Sequence, residues 1–240
     1  ADYCMGSEPR PYRRGALCGW PVQTRLWYAL ALAHVAVVAL APRSSLDSVG
    51  SRLAFAGATM WQTWASDKLH NMDLHLGKKA TLKTEFYYWK LDLFSIALVL
   101  ASQYGVWSVS LRLEAYRILI VASGPLCVAA ALAYMTPHTY GGVLNVCTKL
   151  VFFLQFLFAG YLGAICILYT NCGYMATIWL VYFPGFVCYL SKGWLNHLRG
   201  WRFVYNGPHE AFHVFVYLGH ATTMLLDIAC EFQWTPQCFA

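Results

Sequence analysis

Two histidines, His209 and His213, open the last apolar stretch of the chain. If this stretch is a helix, side chains four residues apart lie one above the other on the same face. The preceding residues 206–208, Asn-Gly-Pro, are typical of a helix start, because proline is favoured in the first turn. Two imidazoles in this position form half of a metal site. A pair of interfacial histidines with satisfied hydrogen bonds is the alternative.

The composition indicates what kind of protein carries this pair. Of the 240 residues, 59% are hydrophobic and 12% are charged, whereas a soluble domain carries about 25% charged residues. Apolar runs of about 18 to 20 residues recur along the chain, as membrane-spanning helices require, without the alternation of a β-barrel. The sequence therefore predicts an all-α, polytopic membrane protein with a basic tail at 1–25, seven transmembrane helices within 26–230 and a short tail at 231–240.

Seven spans are predicted, with boundaries at the ends of the apolar runs. In chain order they are Leu26 to Ala41, Leu53 to His70, Phe86 to Trp107, Arg117 to Met135, Val146 to Leu168, Tyr174 to Leu190 and His209 to Cys230. The segments between them are predicted to be loops, among them 42–52, 71–85 and 191–208. The sequence predicts a multi-pass integral membrane protein without distinguishing the plasma membrane from an endomembrane.

The distribution of basic residues predicts how this bundle is oriented. The side of the N-terminal tail carries Arg10, Arg13, Arg14, Arg25, Lys78, Lys79, Lys83, Lys192, Arg199 and Arg202, and the opposite side carries Arg43, Arg52, Arg112 and Arg117. The positive-inside bias therefore predicts a cytoplasmic N-terminus. This orientation is opposite to that of a G-protein-coupled receptor. A retinal-binding rhodopsin is also excluded, because the seventh span lacks a lysine.

The predicted topology brings ionisable residues to one depth. His70 ends the second span, Asp92 begins the third, and His209 and His213 begin the seventh, all on the cytoplasmic side. Three histidines with one position left for water form a catalytic type of zinc site. Asp92 could accept a hydrogen bond from the water or act as its base. The alternative for Asp92 is an interfacial ion pair with one of the lysines nearby, at positions 68 and 90.

Two other functions remain open for the same residues. The segment from His209 to His213 also spells H-E-x-x-H, in which Glu210 would be the base of an intramembrane metalloprotease. A receptor or scaffold is the third hypothesis, in which zinc only ties the second helix to the seventh. Structural zinc usually has four protein ligands, whereas catalytic zinc leaves a position for water.

The remaining histidines, cysteines and charges add little chemistry. His34 and His220 lie within apolar spans and are predicted to be packed, whereas His75, His138 and His197 are predicted to be solvated loop residues. The nine cysteines contain no CxxC pair, so a thiolate zinc site has no support. The formal charge of +6 is predicted to favour anionic lipid head groups, and nucleic acid is not an expected partner, since the basic residues flank membrane spans.

Three short motifs together resemble a known family. They are Ser66-x-x-x-His70, then Lys90-Leu91-Asp92, then His209-x-x-x-His213 before an apolar span. This pattern resembles the progestin and adipoQ receptor family, which includes the adiponectin receptors and the hemolysin III proteins. That family belongs to a wider group of seven-helix membrane hydrolases with the alkaline ceramidases.

The resemblance implies a role for each matching residue. His70, His209 and His213 would be the ligands of Zn²⁺, and Asp92 would position the zinc-bound water. Ser66 would support the metal or the lipid intermediate. The predicted activity is hydrolysis of a lipid amide such as ceramide, with membrane lipids as partners and with a lipid or protein ligand as a further expectation.

Overall fold

The computed structural model describes residues 26–40, 46–76, 82–110, 173–190 and 208–232, together with 125–126, 128–129, 132–133 and 150. Across these residues the chain is helical except for single turn residues at helix ends, and no β-strand occurs among them. The predicted all-α class is therefore confirmed for the part of the chain that the structure describes.

Five long helices and one short helix are described. They are α1 (Leu26–Ala39), α2 (Leu46–His70), α3 (Met72–Leu76), α4 (Leu82–Ser110), α5 (Gly173–Leu190) and α6 (Pro208–Glu231). The long helices coincide with the first, second, third, sixth and seventh predicted spans. The predicted fourth and fifth spans lie mostly outside the described residues, and the few residues described within them are helical.

Three predicted loop boundaries are wrong. Helix α2 begins at Leu46 within the expected loop 42–52, α3 lies within the expected loop 71–85, and α4 begins at Leu82 rather than at residue 86. The polar start of α2 is helical in part because Arg52 points inward and is buried. Helix α3 follows α2 closely, since the Asn71 amide donates to the Asp67 carbonyl oxygen at 2.9 Å and the His75 amide donates to that of Asn71 at 3.1 Å.

The long helices pack around a core made largely of small side chains. Helix α2 packs against α1 and α4, and α6 packs against α5 and α1. The main core cluster is drawn from α1, α2, α4 and α6 and consists of Ala31, Phe55, Ala56, Ala58, Val99, Val106 and Met224. Alanine at these positions lets helices approach closely, as is common among membrane helices.

Helices α5 and α6 meet through two glycines. A Cβ atom added at Gly185 would come within 2.7 Å of the Phe215 Cβ, and one added at Gly219 would overlap the ring of Tyr182. Any larger residue at Gly219 would therefore displace Tyr182 from the helix interface.

One stretch of the described helices, Ala211–Ala229 in α6, is both long and apolar enough to cross a membrane. Two further apolar stretches, Leu26–Val37 and Leu180–Tyr189, are shorter than a span requires. By length and composition the described part of the chain thus contains one candidate span.

Candidate functional site

Two of the predicted zinc ligands face each other across the bundle. His70 is the last residue of α2, and His213 lies in the second turn of α6. Their Nε2 atoms are 3.1 Å apart, and the ring centroids are 4.7 Å apart at an interplanar angle of 72°. Ligand nitrogens about 2.0–2.1 Å from a tetrahedral zinc ion lie roughly 3.3 Å apart. The observed spacing therefore suits a shared metal ion as well as a hydrogen bond between neutral rings.

The predicted auxiliary residues are also brought together. Ser66 lies one helical turn before His70 on α2, and its hydroxyl donates a hydrogen bond to the Oδ1 atom of Asp92 on α4. Both side chains are buried. Lys90, one of the lysines considered as an ion-pair partner of Asp92, has its ammonium 4.8 Å from the centroid of the Phe86 ring. The hydrogen bond found at the Asp92 carboxyl group comes from Ser66.

For the third predicted ligand, His209, the structure describes the backbone but not the side chain. His209 and Glu210 belong to α6, but their side chains lie outside the described residues. Among the side chains that are described, no group of three or more histidines, cysteines or acidic residues has the geometry of a metal site. Two imidazole nitrogens directed at each other match the donor chemistry that zinc prefers, so the residues present fit this metal.

A carboxylate–histidine pair lies beside the end of α2. The Oδ2 atom of Asp67 and the Nε2 atom of His75 are 2.7 Å apart, and the Asn71 side-chain amide donates to Asp67 Oδ1 at 2.7 Å. The His75 and Asp67 side chains are 34% and 19% exposed. His75 is therefore exposed, as the sequence predicted, but it lies in a short helix rather than in a loop and has a partner.

His220 belongs to a buried chain of hydrogen bonds, as the packed position predicted for it requires. Its Nε2 atom is 2.8 Å from Gln62 Oε1, and its Nδ1 atom is 2.7 Å from the Tyr182 hydroxyl. The Gln103 side-chain amide donates to the Tyr182 hydroxyl at 3.1 Å and to Thr223 Oγ1 at 2.8 Å. Because Gln62 Oε1 only accepts, we assign the His220 proton to Nε2. The Nδ1 atom then accepts a hydrogen bond from the Tyr182 hydroxyl. With both ring nitrogens bonded, His220 is not available to a metal.

A buried ion-pair cluster, which we call the far-end trio, joins α1, α2 and α6 through His34, Arg52 and Asp227. Arg52 donates to Asp227 through Nε at 2.7 Å and through Nη2 at 2.9 Å, and His34 Nε2 lies 2.7 Å from Asp227 Oδ2. All three side chains are buried. Arg52 lies in a helix rather than in the predicted loop, and Asp227 is not among the residues singled out from the sequence. The signal was present, because a carboxylate within an apolar run needs a partner.

The far-end trio and the pair of His70 and His213, which we call the histidine pair, involve different ends of α6. His213 and Asp227 are separated by 14 positions, which corresponds to about 21 Å along a helix. The candidate metal centre therefore consists of the end of α2, the part of α4 that carries Asp92 about three turns after its start, and the start of α6, and the trio lies well away from it. No family model, curated protein or solved structure matches this chain, so its membership of the progestin and adipoQ receptor family stays a prediction.

Proposed function

We propose that this chain is a multi-pass integral membrane protein that binds one zinc ion through His70, His209 and His213 and hydrolyses a lipid amide of the ceramide type. The observation that carries the proposal is the pair of Nε2 atoms 3.1 Å apart on α2 and α6, next to the Ser66–Asp92 hydrogen bond. A carboxylate beside two convergent imidazoles has the composition of a hydrolytic metal centre.

The distribution of polar and apolar side chains supports a membrane environment. Polar side chains point into the bundle, where the buried set includes Arg52, Thr59, Gln62, Thr63, Ser66, Asp92, Ser95, Ser102, Gln103, His213, His220, Thr223 and Asp227. Large apolar side chains point outward, and the exposed set includes Leu32, Leu53, Trp61, Trp64, Leu180, Phe183, Val187, Leu218 and Leu225. Burial of polar residues with exposure of apolar ones favours lipid around the bundle.

Seven spans and a cytoplasmic N-terminus are part of the proposal. Helices α2 and α4 are 25 and 29 residues long, which exceeds the roughly 20 residues that a bilayer requires. Their average apolarity is low because Ser66, Asp92 and the other buried polar residues lie on their inner faces. The excess of lysine and arginine on the side of the N-terminal tail supports the orientation.

In the proposed hydrolysis, bound zinc and the residues Asp92 and Ser66 have different roles. Zinc, when bound, acts as a Lewis acid that polarises the amide carbonyl and lowers the pKa of a water molecule toward ~7. The Asp92 carboxylate, oriented by the Ser66 hydroxyl, accepts a hydrogen bond from the attacking water and takes its proton. The same carboxyl group then returns the proton to the leaving amine nitrogen as the carbon–nitrogen bond breaks.

A non-catalytic role is the second candidate. His70 and His213 come from helices far apart in the chain, so a metal between them would tie α2 to α6. A receptor or scaffold would use the same metal without turning over a lipid. The H-E-x-x-H protease remains a third hypothesis, in which Glu210 rather than Asp92 is the base.

Purified protein should contain about one zinc per chain, and His70→Ala and His213→Ala should each lose most of it, because two imidazoles bind zinc weakly. Asp92→Asn should keep zinc and abolish lipid amide hydrolysis, since asparagine has the shape of the carboxylate without its charge. Glu210→Gln is the matched control and should retain turnover.

Full zinc content in both histidine variants would refute the site. Turnover lost in Glu210→Gln but kept in Asp92→Asn would favour the protease assignment, and bound zinc without any turnover would favour the receptor or scaffold.

A further inference from the structure

Tyr217 occupies the turn of α6 that follows His213. The two residues are four apart on one helix, so they share a face. The Tyr217 ring stacks on Trp27 of α1, with centroids 4.7 Å apart and an interplanar angle of 13°, and it meets the edge of His220 at 5.9 Å. The side chain is 1% exposed. Contacts on two sides therefore hold this ring in one place.

The Tyr217 hydroxyl lies near the Ser66–Asp92 pair. Side chains on a helix lean toward its N-terminus, which displaces this hydroxyl toward the level of His213. Thr63, one turn before Ser66 on α2, lies within hydrogen-bonding range of this hydroxyl, and the carboxyl group of Asp92 is close enough to act on it electrostatically. Tyr217 thus places an O–H group close to Asp92, on the face of α6 that also carries His213.

This hydroxyl is buried and makes no hydrogen bond of normal geometry with any described residue. The neighbouring Thr63 hydroxyl already donates to the carbonyl oxygen of Thr59 at 2.9 Å. Tyr182, a partly buried tyrosine of this region, bonds both His220 and Gln103. Buried polar groups are nearly always hydrogen-bonded. Among the described residues, however, no acceptor takes the hydrogen bond that the Tyr217 hydroxyl can donate.

We propose that the Tyr217 hydroxyl donates a hydrogen bond to the carbonyl oxygen of the lipid amide bound at this site, an inference that rests on the proposed function. When water adds to the carbonyl carbon, the carbonyl oxygen gains negative charge. It loses that charge when the carbon–nitrogen bond breaks and the water's proton reaches the amine. A preorganised donor aimed at this oxygen stabilises the charged state more than the bound substrate. The ring contacts with Trp27 and His220 fix the direction of the donor.

The test compares Tyr217→Phe with Tyr182→Phe. Tyr217→Phe keeps the stacked ring and removes a hydroxyl that makes no hydrogen bond of normal geometry with a described residue, so zinc content and thermal stability should match the wild type. Its kcat for N-palmitoyl sphingosine should fall about a hundredfold, with little change in KM. Tyr182→Phe breaks two hydrogen bonds, so it should lower thermal stability and leave kcat per folded molecule within a fewfold. An unchanged kcat in Tyr217→Phe would overturn the proposal.

A spectroscopic arm separates this inference from the proposed hydrolysis. The infrared band of a ¹³C-labelled amide carbonyl in N-palmitoyl sphingosine is measured when bound to Asp92→Asn and to Asp92→Asn/Tyr217→Phe, where turnover is blocked. Loss of the hydrogen bond should shift the band to higher frequency in the double variant. Coincident bands would overturn the role of Tyr217 even if the wild type hydrolyses the amide. A shifted band without wild-type turnover would refute hydrolysis alone, and failure of the labelled amide to bind would overturn both.

Discussion

Replacing Asp227 with asparagine would remove one charge from the far-end trio while changing the side-chain shape very little. Asp227 is fully buried and accepts two hydrogen bonds from Arg52 and one from His34. In the variant the buried Arg52 guanidinium loses the negative charge of Asp227, and an amide N–H₂ group faces other donors. Removing one partner of a buried ion pair costs about 3–5 kcal/mol. At about 1.4 kcal/mol per factor of ten, the folding equilibrium should shift by a hundredfold to several thousandfold.

The assay is unfolding by sodium dodecyl sulfate in mixed micelles, followed by tryptophan fluorescence. Asp67→Asn is the matched control, because Asp67 also pairs with a histidine but is 19% exposed and its partner His75 is 34% exposed. Exposed pairs contribute at most about 1 kcal/mol. Equal losses of stability in Asp227→Asn and Asp67→Asn would refute the reasoning. Arg52→Met combined with Asp227→Leu should recover part of the loss, because no buried charge is left unpaired.

Two further predictions concern helix packing and orientation. Gly219→Ala places a methyl group against the Tyr182 ring and should destabilise the protein by about 1–3 kcal/mol. In the control Gly57→Ala the added Cβ meets nothing within 4 Å, so this variant should stabilise the protein by about 0.5–1 kcal/mol. Equal thermal stabilities of the two variants would contradict the close contact at Gly219. An epitope tag before Ala1 should be shielded from antibody in intact cells, and one after Ala240 should be accessible or lumenal, so the reverse pattern would place the histidine pair on the outer face.

Much of the helical architecture follows from features that are local in the sequence. The apolar runs around α1, α5 and α6 predicted these helices, and the start signals before His209 predicted where α6 begins. The structure brings His70 to His213 and Ser66 to Asp92. The alternation of the apolar runs predicted that His70, Asp92 and His213 lie at one side of the bundle, but it specifies no distance between side chains. Ser66 was included only because of the family resemblance.

Features that depend on partners distant in the chain could not be predicted in the same way. The segment Leu46 to Arg52 has the composition of a polar loop, but it is helical in the structure. Arg52 bonds the carboxylate of Asp227, which lies 175 positions away in the chain. His220 looked packed, but its bonds to Gln62 and Tyr182 come from two other helices. Tyr217 carries no sequence signal as a candidate donor, because the lack of a hydrogen bond between its hydroxyl and the described residues is a property of the packing around it.

The far-end trio has a thermodynamic consequence for the candidate metal centre. His70 and His213 are 143 positions apart, and closing a loop of that length costs entropy that grows with the logarithm of its length. Arg52 and Asp227 already hold the same two helices together at their other ends, so most of that entropy is lost on folding, before any metal arrives. A metal ion then has to restrict only the short residual movement of two helix ends. The affinity of the proposed metal centre would in this way partly depend on Asp227, about 21 Å along α6 from His213.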